Sequence, residues 1–238
     1  MIEPIQSVSL KDLFIRNFEK LIFSGHFKIG DKLPPERELA KKMGVSRPVV
    51  HEGLVDLASK GLVTMVPRRG TIINDFRKHG SLFVLTSLFK YSDGQVSDKL
   101  LFSVLDLRML FEIENAGLAA GNRTREQMEQ FQEILEKEKD IDHGDTQAVA
   151  ALDFEFHLAL AMASNNLVYP LLLNSLKQFY LGLSEQFFAE PLVVPQVFEW
   201  HIDLVQAIEE QHRKKATAIM KKLLAHGESH LRRLIHHQ

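Results

Sequence analysis

The sequence predicts a mainly α-helical protein with one small β-hairpin near residue 70. Apolar residues recur at helical spacing before and after that point. Two short β-rich runs, Leu62–Val66 and Thr71–Ile73, flank the turn-forming stretch PRRG, which is typical of a hairpin. From Leu82 onward there is no further strand pattern. A chain of 238 residues is long enough for one large domain or two ordinary ones.

Composition excludes several classes of protein. The chain has no cysteine, so a disulfide framework, a thiolate metal site and a cysteine nucleophile are all excluded. The first residues carry charges where a signal peptide would need an apolar core. No apolar run approaches the roughly 20 residues of a membrane span. We therefore expect a soluble cytoplasmic protein with no membrane partner.

Charge is distributed unevenly along the chain. The formal net charge is −2, which by itself argues against a nucleic-acid partner. Residues 1–75 hold 12 Lys+Arg against 9 Asp+Glu, a net of +3, and the rest holds 17 against 22, a net of −5. This asymmetry supports a basic DNA-facing module joined to an acidic sensing or dimerising module.

The N-terminal part is predicted to hold three helices before the hairpin. The first runs from about residue 10 to residue 24, and Pro35 is well placed to open the second. Gly44 supplies a left-handed cap for that helix, and Ser46 is a good N-cap for the third, from Arg47 to about Lys60. Gly61 closes it. We predict a first domain over 8–75, a linker over 76–81 and a helical domain over 82–236.

Helix, turn, helix and hairpin in this order form a winged helix-turn-helix, which places one helix in the major groove of DNA. Arg47 lies near the positive end of the third helix, where it can bind phosphate or, bidentately, guanine. Arg68 and Arg69 at the wing tip are placed to reach an adjacent groove or the backbone. On spacing alone, a small helical domain with solvated arginines remains the alternative.

The segment LPPERELAKKMGVSRPVVHEGLVDLASKGLVTMVPRRGT resembles the DNA-binding domain of the GntR family of bacterial transcription regulators. That family's motif runs LPSERELA…GVSR..VREAL..L...GLV…G.GT. The resemblance implies DNA contacts from Arg37, in ERELA, and from Ser46 and Arg47, in GVSR. His51 stands where the family has an arginine, so the usual guanine contact is expected to shift or weaken.

Two further departures concern the third helix and the wing. Gly53 replaces the alanine of VREAL, and a mid-helix glycine costs roughly 1 kcal/mol relative to alanine, so we expect this helix to tighten only on DNA. Pro67, Arg68 and Arg69 replace the more usual glycine-bearing wing tip and add charge there. Each additional neutralised phosphate steepens the salt dependence of DNA binding.

The second part of the chain is predicted to contain seven helices, at about 82–91, 97–121, 124–141, 145–164, 166–189, 193–210 and 212–236. Asp153 and His157 lie four residues apart and share a helix face. Such a pair is a common half of a divalent-metal site, although on spacing alone an ion pair on the helix surface is the simpler interpretation.

Seven helices after a winged helix resemble the FCD-type effector domain of the FadR subfamily within the GntR family. LDFEFHLALAMASNNLVYPLL is similar to that domain's D..FH..LA.ASGNPL motif, and the resemblance implies that His201 supplies a third metal ligand. Arg108 matches an arginine that points into the effector cavity and suits a carboxylate. Asp153, His157, His201 and Arg108 are therefore the expected effector-binding residues.

The sequence differs from the family at the fourth metal-ligand position, where Leu223 replaces the expected histidine. Three interpretations stay open: three protein ligands with water or effector, completion by His226, or loss of the site. A site of this mixed kind suits Zn, Ni or Mn. The leading effector class is a small organic acid, and an acyl-CoA or fatty acid is the rival because LLLNSLKQFYLGLSEQFFAEP is rich in Phe and Leu.

The sequence suggests two main functions, and a third, a ligand-binding protein that has lost DNA binding, is disfavoured because Arg37 and Arg47 are both present. The first is a ligand-responsive transcription regulator that binds a palindromic operator as a homodimer. Most proteins of this kind are repressors. The alternative is an all-α metal-dependent enzyme with an accessory winged-helix module. An enzyme would need a general base beside the metal, and Glu155 falls on a different helix face from Asp153 and His157. The sequence also lacks a phosphate-binding glycine loop and a dinucleotide fingerprint, which favours the regulator.

Overall fold

The computed structural model describes residues 9–91 and 98–236, which form two compact units on either side of the gap. The predicted starts of the first domain at residue 8 and of a helix at residue 97 lie outside the described residues. Both units are helical apart from one two-stranded sheet in the first. The predicted fold class is confirmed.

Over residues 9–91, the first unit contains five helices and the hairpin: α1 (Leu10–Phe23), α2 (Glu36–Met43), α3 (Arg47–Ser59), β1 (Val63–Val66), β2 (Gly70–Ile73), α4 (Phe76–His79) and α5 (Phe83–Tyr91). Gly44 ends α2 in the left-handed conformation, φ 66°, as its position predicts. Ser46 precedes α3 with an extended backbone, but its side chain makes no capping hydrogen bond.

The hairpin is a short antiparallel pair in which Val63 lies opposite Ile73 and Val66 opposite Gly70. Its turn is closed by the Arg69 N–H, which donates to the Val66 carbonyl at 3.0 Å. Arg68 occupies the left-handed region within this turn, φ 63°. A non-glycine residue there costs roughly 1–2 kcal/mol, so the wing tip holds a charged side chain where glycine would fit more easily.

The core of the first unit packs α1 against α3 and the hairpin. Phe14 and Phe18 of α1 stack with ring centroids 4.6 Å apart, and both are buried with Leu54 and Leu57 of α3. Because burying an aromatic or leucine side chain contributes about 2–3 kcal/mol relative to exposure, this layer fixes α3 firmly on α1. The start of α3, which carries the predicted DNA-contacting residues, is held in place by it.

Gly53 has a packing role that the sequence analysis did not anticipate. A Cβ atom at this position would lie 2.7 Å from Cε1 of Phe14 and closer still to Cδ1, so the glycine makes room for the aromatic ring. The helix is continuous from Arg47 to Ser59. That α3 tightens on DNA stays a prediction.

The region predicted as a linker, 76–81, is structured. Its first residues form α4, capped by the Asp75 carboxylate, which accepts from the Arg77 N–H at 3.1 Å. The following helix, α5, packs on α1, and the Ser87 hydroxyl donates to the buried Glu19 carboxylate at 2.8 Å. Lys60 reaches the same Glu19 oxygen at 2.9 Å. Residues 83–91, which we had predicted to begin the second domain, therefore pack within the first unit.

The second unit is a helical bundle composed of α6 (Asp98–Asn122), α7 (Arg125–Asp140), α8 (Thr146–Ala163), α9 (Val168–Ser175), α10 (Lys177–Phe188), a 3-10 turn (Pro191–Val193), α11 (Val194–Glu209) and α12 (Arg213–His236). Helix α8 contacts α6, α7, α9 and α10, while α12 packs along α6 and α11. The single helix predicted over 166–189 is divided at Leu176, whose backbone has φ −97° and ψ 0°. Across the described ranges, every helix is too short or too polar to span a bilayer.

Candidate functional site

A groove on the first unit brings together cationic side chains from α2, α3 and the wing. Arg37, Arg47, Arg68 and Arg69 all line it and are exposed. Arg47 is the first residue of α3, and its side chain is 73% exposed. The first turn of a helix offers unpaired N–H groups and the positive end of the dipole, so this groove is suited to an anion.

Glu36, the first residue of α2, is the anionic partner of α3. One carboxylate oxygen accepts from Arg47 Nε at 3.1 Å, and the other lies 2.8 Å from His51 Nδ1. The hydrogen bond from His51 is the main cause that lowers the pKa of Glu36; burial opposes the shift and Arg47 reinforces it. Glu36 therefore stays ionised and positions both side chains.

Not all the predicted DNA-contacting residues line the groove. Ser46 and His51 are exposed at the start of α3 but are not among the lining residues. Lys32, which the sequence analysis did not select, does line the groove. Its place follows from an isolated bridge to Ile72 beside the hairpin, a tertiary pairing that has no local sequence signal.

In the second unit, Asp153, His157 and His201 form a buried group whose ligand atoms all lie within 4.8 Å of one another. Asp153 and His157 are one turn apart on α8, and α11 supplies His201. Asp153 Oδ1 lies 3.8 Å from His157 Nε2 and 3.7 Å from His201 Nε2. The structure thus brings together three of the four residues predicted as metal ligands.

A carboxylate orients each histidine of this group. His201 Nδ1 lies 2.6 Å from Glu138 Oε1, and His157 Nδ1 contacts Glu112 Oε2. Because a carboxylate accepts hydrogen bonds, each Nδ1 carries the proton and the Nε2 lone pair is left for a ligand bond. Such carboxylate–histidine pairs are the usual support of metal-binding imidazoles.

The donor set fits a divalent cation. Both Nε2 atoms are buried and have no hydrogen-bond partner among the residues that the structure describes, a costly arrangement unless something binds them. Atoms bound about 2.1 Å from one ion lie roughly 3 to 3.5 Å apart, close to the separations that the group already shows. One carboxylate oxygen and two imidazole nitrogens could hold Zn, Ni or Mn.

Arg108 lies beside this group, on α6, in a hydrogen-bonded network. Its Nε donates to Glu112 Oε1 at 2.5 Å, and its Nη2 donates to the Tyr180 hydroxyl at 3.2 Å. Tyr180 in turn donates to Asp153 Oδ2 at 2.6 Å. The network connects the arginine to the Asp153 carboxylate through a single phenol.

Burial and charge act in opposite directions on this network. Burial tends to lower the pKa of Arg108, but the charge and hydrogen bond of Glu112, together with Tyr180 and Asp153, outweigh burial and raise the pKa. Burial tends to raise the pKa of Glu112, yet the charge of Arg108 and the contact with His157 Nδ1 lower it to about 2. Burial, reinforced by the Asp153 carboxylate, raises the pKa of Tyr180 well above its ordinary value. The site therefore contains an ionised arginine–glutamate pair and a neutral phenol.

The structure does not place His226 with Asp153, His157 and His201, the three residues called the metal group below. Within the described part of the chain, that group consists of Asp153, His157 and His201. The His226 ring packs edge-on against Trp200 and Phe187, and burial lowers its pKa. Completion of the site by His226 would require this packing to break.

A cavity adjoins the metal group. Asp153, His157 and Arg108 line it, and so does Leu223, at the position where the family has its fourth ligand. Three of the four predicted effector-binding residues therefore share one cavity, and His201 is not among its lining residues.

Sequence reasoning missed three residues of this site. Glu112 follows Arg108 by one turn, in the same motif, so its position gave a signal. Glu138 lies in the charged run EKEKD, a pattern that predicts a solvent-exposed helix face. In the structure its side chain is nevertheless buried. Tyr180 belongs to an aromatic pair whose polar contact depends on how α10 packs against α8.

Two family descriptions match the chain. The one described as bacterial regulatory proteins, gntR family, matches residues 15–73, and the FCD domain matches residues 103–226, just over half of the chain. The chain belongs to the gntR family of regulators with an FCD domain. These gntR-family matches fall on the winged unit and on the helical bundle that holds the buried group.

Relatives extend along most of this gntR-family chain. It is 31% identical over 211 residues to the HTH-type transcriptional regulator LutR of Bacillus subtilis, covering 87% of this chain and 92% of LutR. It is also 31% identical over 170 residues to the fatty acid metabolism regulator protein of Yersinia pestis, covering 71% and 69%.

Solved structures show the same fold. The Listeria monocytogenes protein Lar matches with a TM-score of 0.58 at 15% identity, covering 97% of this chain and all of that one. E. coli McbR/YncC matches with a TM-score of 0.53 at 18% identity, covering 96% and 100%. Both the family and the relatives at 31% identity are transcription regulators, so this chain is a transcription regulator and not an enzyme. Its FCD domain is of a kind that can bind metal.

Proposed function

We propose that this chain is a cytoplasmic, ligand-responsive repressor that binds a palindromic DNA operator as a homodimer. The observation that carries the proposal is the groove at the start of α3, where Arg37, Arg47, Arg68 and Arg69 converge from three elements. The effector is a small carboxylate bound in the FCD domain beside a divalent cation. The family assignment supports both halves of this proposal.

In the proposed complex, the start of α3 enters the major groove. Arg47 is the leading candidate for a bidentate contact with guanine, and His51 lies one turn further along the same helix. Arg68 and Arg69 on the wing contact phosphate and position the helix. On DNA binding, Arg47 and His51 would break their contacts with Glu36. Loss of this exposed ion pair costs about 1 kcal/mol, which the new contacts with the duplex would offset.

A homodimer follows from the size of the reading surface. One α3 contacts only a few base pairs, and two-fold operators present half-sites about one helical turn of DNA apart. Two copies therefore contribute two recognition helices, and a single copy binds weakly. We expect an inverted repeat whose half-site differs from those of relatives with arginine at the position of His51.

The effector site is proposed around Asp153, His157 and His201. These three residues would hold Zn, Ni or Mn, and the ion would offer open coordination positions to an effector oxygen. Arg108 lies on the same cavity and pairs with the effector carboxylate. Its described hydrogen bonds use Nε and Nη2, which leaves Nη1 to donate.

An acyl chain is the second candidate effector. One relative is named a fatty acid metabolism regulator, and the cavity beside the metal group has a mostly apolar lining that includes Phe187 and Phe188. Either effector changes DNA affinity only if it binds the DNA-competent and the released arrangements of the dimer with different affinity. We propose that it favours the released arrangement.

Selection from random duplexes tests the DNA-binding half of the proposal. Full-length protein at moderate salt should enrich a short inverted repeat. Enrichment of no sequence, or of unpaired single half-sites only, would contradict the operator proposal.

Elemental analysis tests the metal half. Protein purified from cells should carry close to one divalent ion per chain, and the His157→Ala, His201→Ala double variant should lose it. The matched control is His212→Ala, which removes an exposed histidine outside the group. Equal metal content in the double variant and the wild type would rule out this ligand set.

A further inference from the structure

The cavity beside the metal group has a polar end and an apolar body. Asp153, His157 and Arg108 line the polar end. Most of the remaining lining comes from helices α10 and α12 and is apolar, with Ser184 and Glu228 as its polar members; the apolar residues include Leu183, Phe187, Phe188, Leu223, Leu224 and Leu231. A molecule that fills this space needs an anionic head and a hydrocarbon body.

We infer that the effector is a monocarboxylic acid with a short apolar chain. This inference rests on the proposed function, in which the carboxylate occupies the end of the cavity nearest Arg108 and the metal group. It goes further because it specifies the rest of the molecule. The effector has no second charge, and its carbon chain is too short to be a fatty acyl group.

Leu223 determines the polarity of the cavity wall. A histidine at this position would add a metal ligand and a hydrogen-bonding group, whereas leucine offers only hydrocarbon. Leu223 is itself 7% exposed, so its side chain belongs to the packed lining. Burying apolar surface against it is favourable, while an effector hydroxyl or carboxylate directed at it would lose its hydrogen bonds to water.

Charge at the cavity argues against a second carboxylate. Among the described lining residues, Arg108 is the one lysine or arginine. It already donates hydrogen bonds to Glu112 and Tyr180. On the side of the cavity that α12 lines, the charged residue is Glu228. Its carboxylate is negative and is held by Arg232 through hydrogen bonds of 2.9 and 2.7 Å. The second carboxylate of a dicarboxylic acid would lie near the negative Glu228 side chain, where a cation would be needed to bind it.

The size of the cavity argues against a long chain. Its volume is about 40 Å³, well below the roughly 300–1,000 Å³ of pockets that enclose drug-sized ligands. A fatty acyl chain would have to displace Phe187 or Leu231 from their packed positions. A short chain such as that of butyrate or isovalerate, with its carboxylate nearest Arg108, fits with small movements of the packed side chains.

Calorimetric titration of the full-length protein loaded with Mn²⁺ tests this inference. The acids compared are acetate, butyrate, isovalerate, succinate, citrate and decanoate. Butyrate or isovalerate should bind at least tenfold more tightly than succinate, citrate and decanoate. Succinate, citrate or decanoate binding as tightly as butyrate would overturn the inference while leaving a carboxylate effector in place. If none of the acids binds, acetate included, the carboxylate effector itself is wrong and the inference falls with it.

Filling the cavity gives a second, independent readout. Leu223→Phe should weaken butyrate binding at least tenfold, because the larger ring fills the space proposed for the carbon chain. The matched control is Leu192→Phe, at a leucine that is 82% exposed on the 3-10 turn, and it should bind butyrate like the wild type. Thermal unfolding establishes that each variant is folded. Unchanged butyrate binding by folded Leu223→Phe would show that the chain does not occupy this cavity.

Discussion

The ring of Phe14 on α1 occupies the space that a side chain at Gly53 on α3 would need, with Cε1 2.7 Å from the position of a Cβ atom. Phe14 is 1% exposed and stacks on Phe18, so the ring has little freedom to move away. Alanine at this position, usual in the family, would have to displace it. The glycine and the phenylalanine therefore act as a pair.

Gly53→Ala should destabilise the first unit. Alanine gains up to about 1 kcal/mol in helix propensity, but overpacking a filled core costs about 1–3 kcal/mol, so we expect a net loss of about 1 kcal/mol. Urea unfolding measures it. Gly121→Ala is the control, because nothing lies within 4 Å of a Cβ there, and it should be neutral or stabilising. A Gly53→Ala protein as stable as the wild type would contradict this packing role.

Ser87→Ala should also destabilise the first unit. The Ser87 hydroxyl donates to the buried Glu19 carboxylate, and removing such a partner costs about 1–2 kcal/mol. Ser59→Ala is the control, since the Ser59 hydroxyl is exposed and bonds only to a carbonyl of its own helix. Equal unfolding midpoints for the two variants would mean that this hydrogen bond does not fasten α5 to α1.

Glu138→Gln should weaken metal binding without removing a ligand. The Glu138 carboxylate orients His201 and increases its basicity, and loss of such a group costs about 10- to 100-fold in metal affinity. Titration with Mn²⁺ or Zn²⁺ in competition with a chelator measures the change. Glu136→Gln, an exposed position on the same helix, should bind metal like the wild type. Identical affinities for both variants would exclude a supporting role for Glu138.

Asp75 should make the first unit sensitive to acid. Its hydrogen bonds with Arg77 lower its pKa from 3.8 to about 2. Because the folded-state pKa is below the unfolded one, the stabilisation is complete above pH 4 and is lost as the pH falls through about 2. Urea unfolding should show the wild type more stable than Asp75→Asn at pH 6, with a smaller difference at pH 2.5. A difference independent of pH would contradict this assignment.

Local sequence patterns predicted much of the fold and of the buried site. The left-handed cap at Gly44 and the hairpin around residues 67–70 follow from residue types at fixed positions. The pairing of Asp153 with His157 follows from helical spacing. Each of these features depends on residues that are close together in the chain, so a single sequence contains the information.

Features that depend on packing between distant segments were not predictable in this way. The break at Leu176 has no glycine or proline to mark it, and the segment reads as one helix. The attachment of α5 depends on a glutamate buried 68 residues earlier in the chain. Glu138 looks like part of a solvated charged run until α7 is placed beside His201. These contacts arise only when the helices assemble.

The central claim is that the start of α3 contacts operator DNA. Fluorescence anisotropy with a labelled duplex carrying the selected inverted repeat tests it most directly, on the wild type, Arg47→Ala and the exposed control Arg125→Ala. We predict that Arg47→Ala binds about 5- to 150-fold more weakly, as expected for loss of a contact worth about 1–3 kcal/mol, and that Arg125→Ala binds like the wild type. Equal affinity for Arg47→Ala and the wild type would contradict the account.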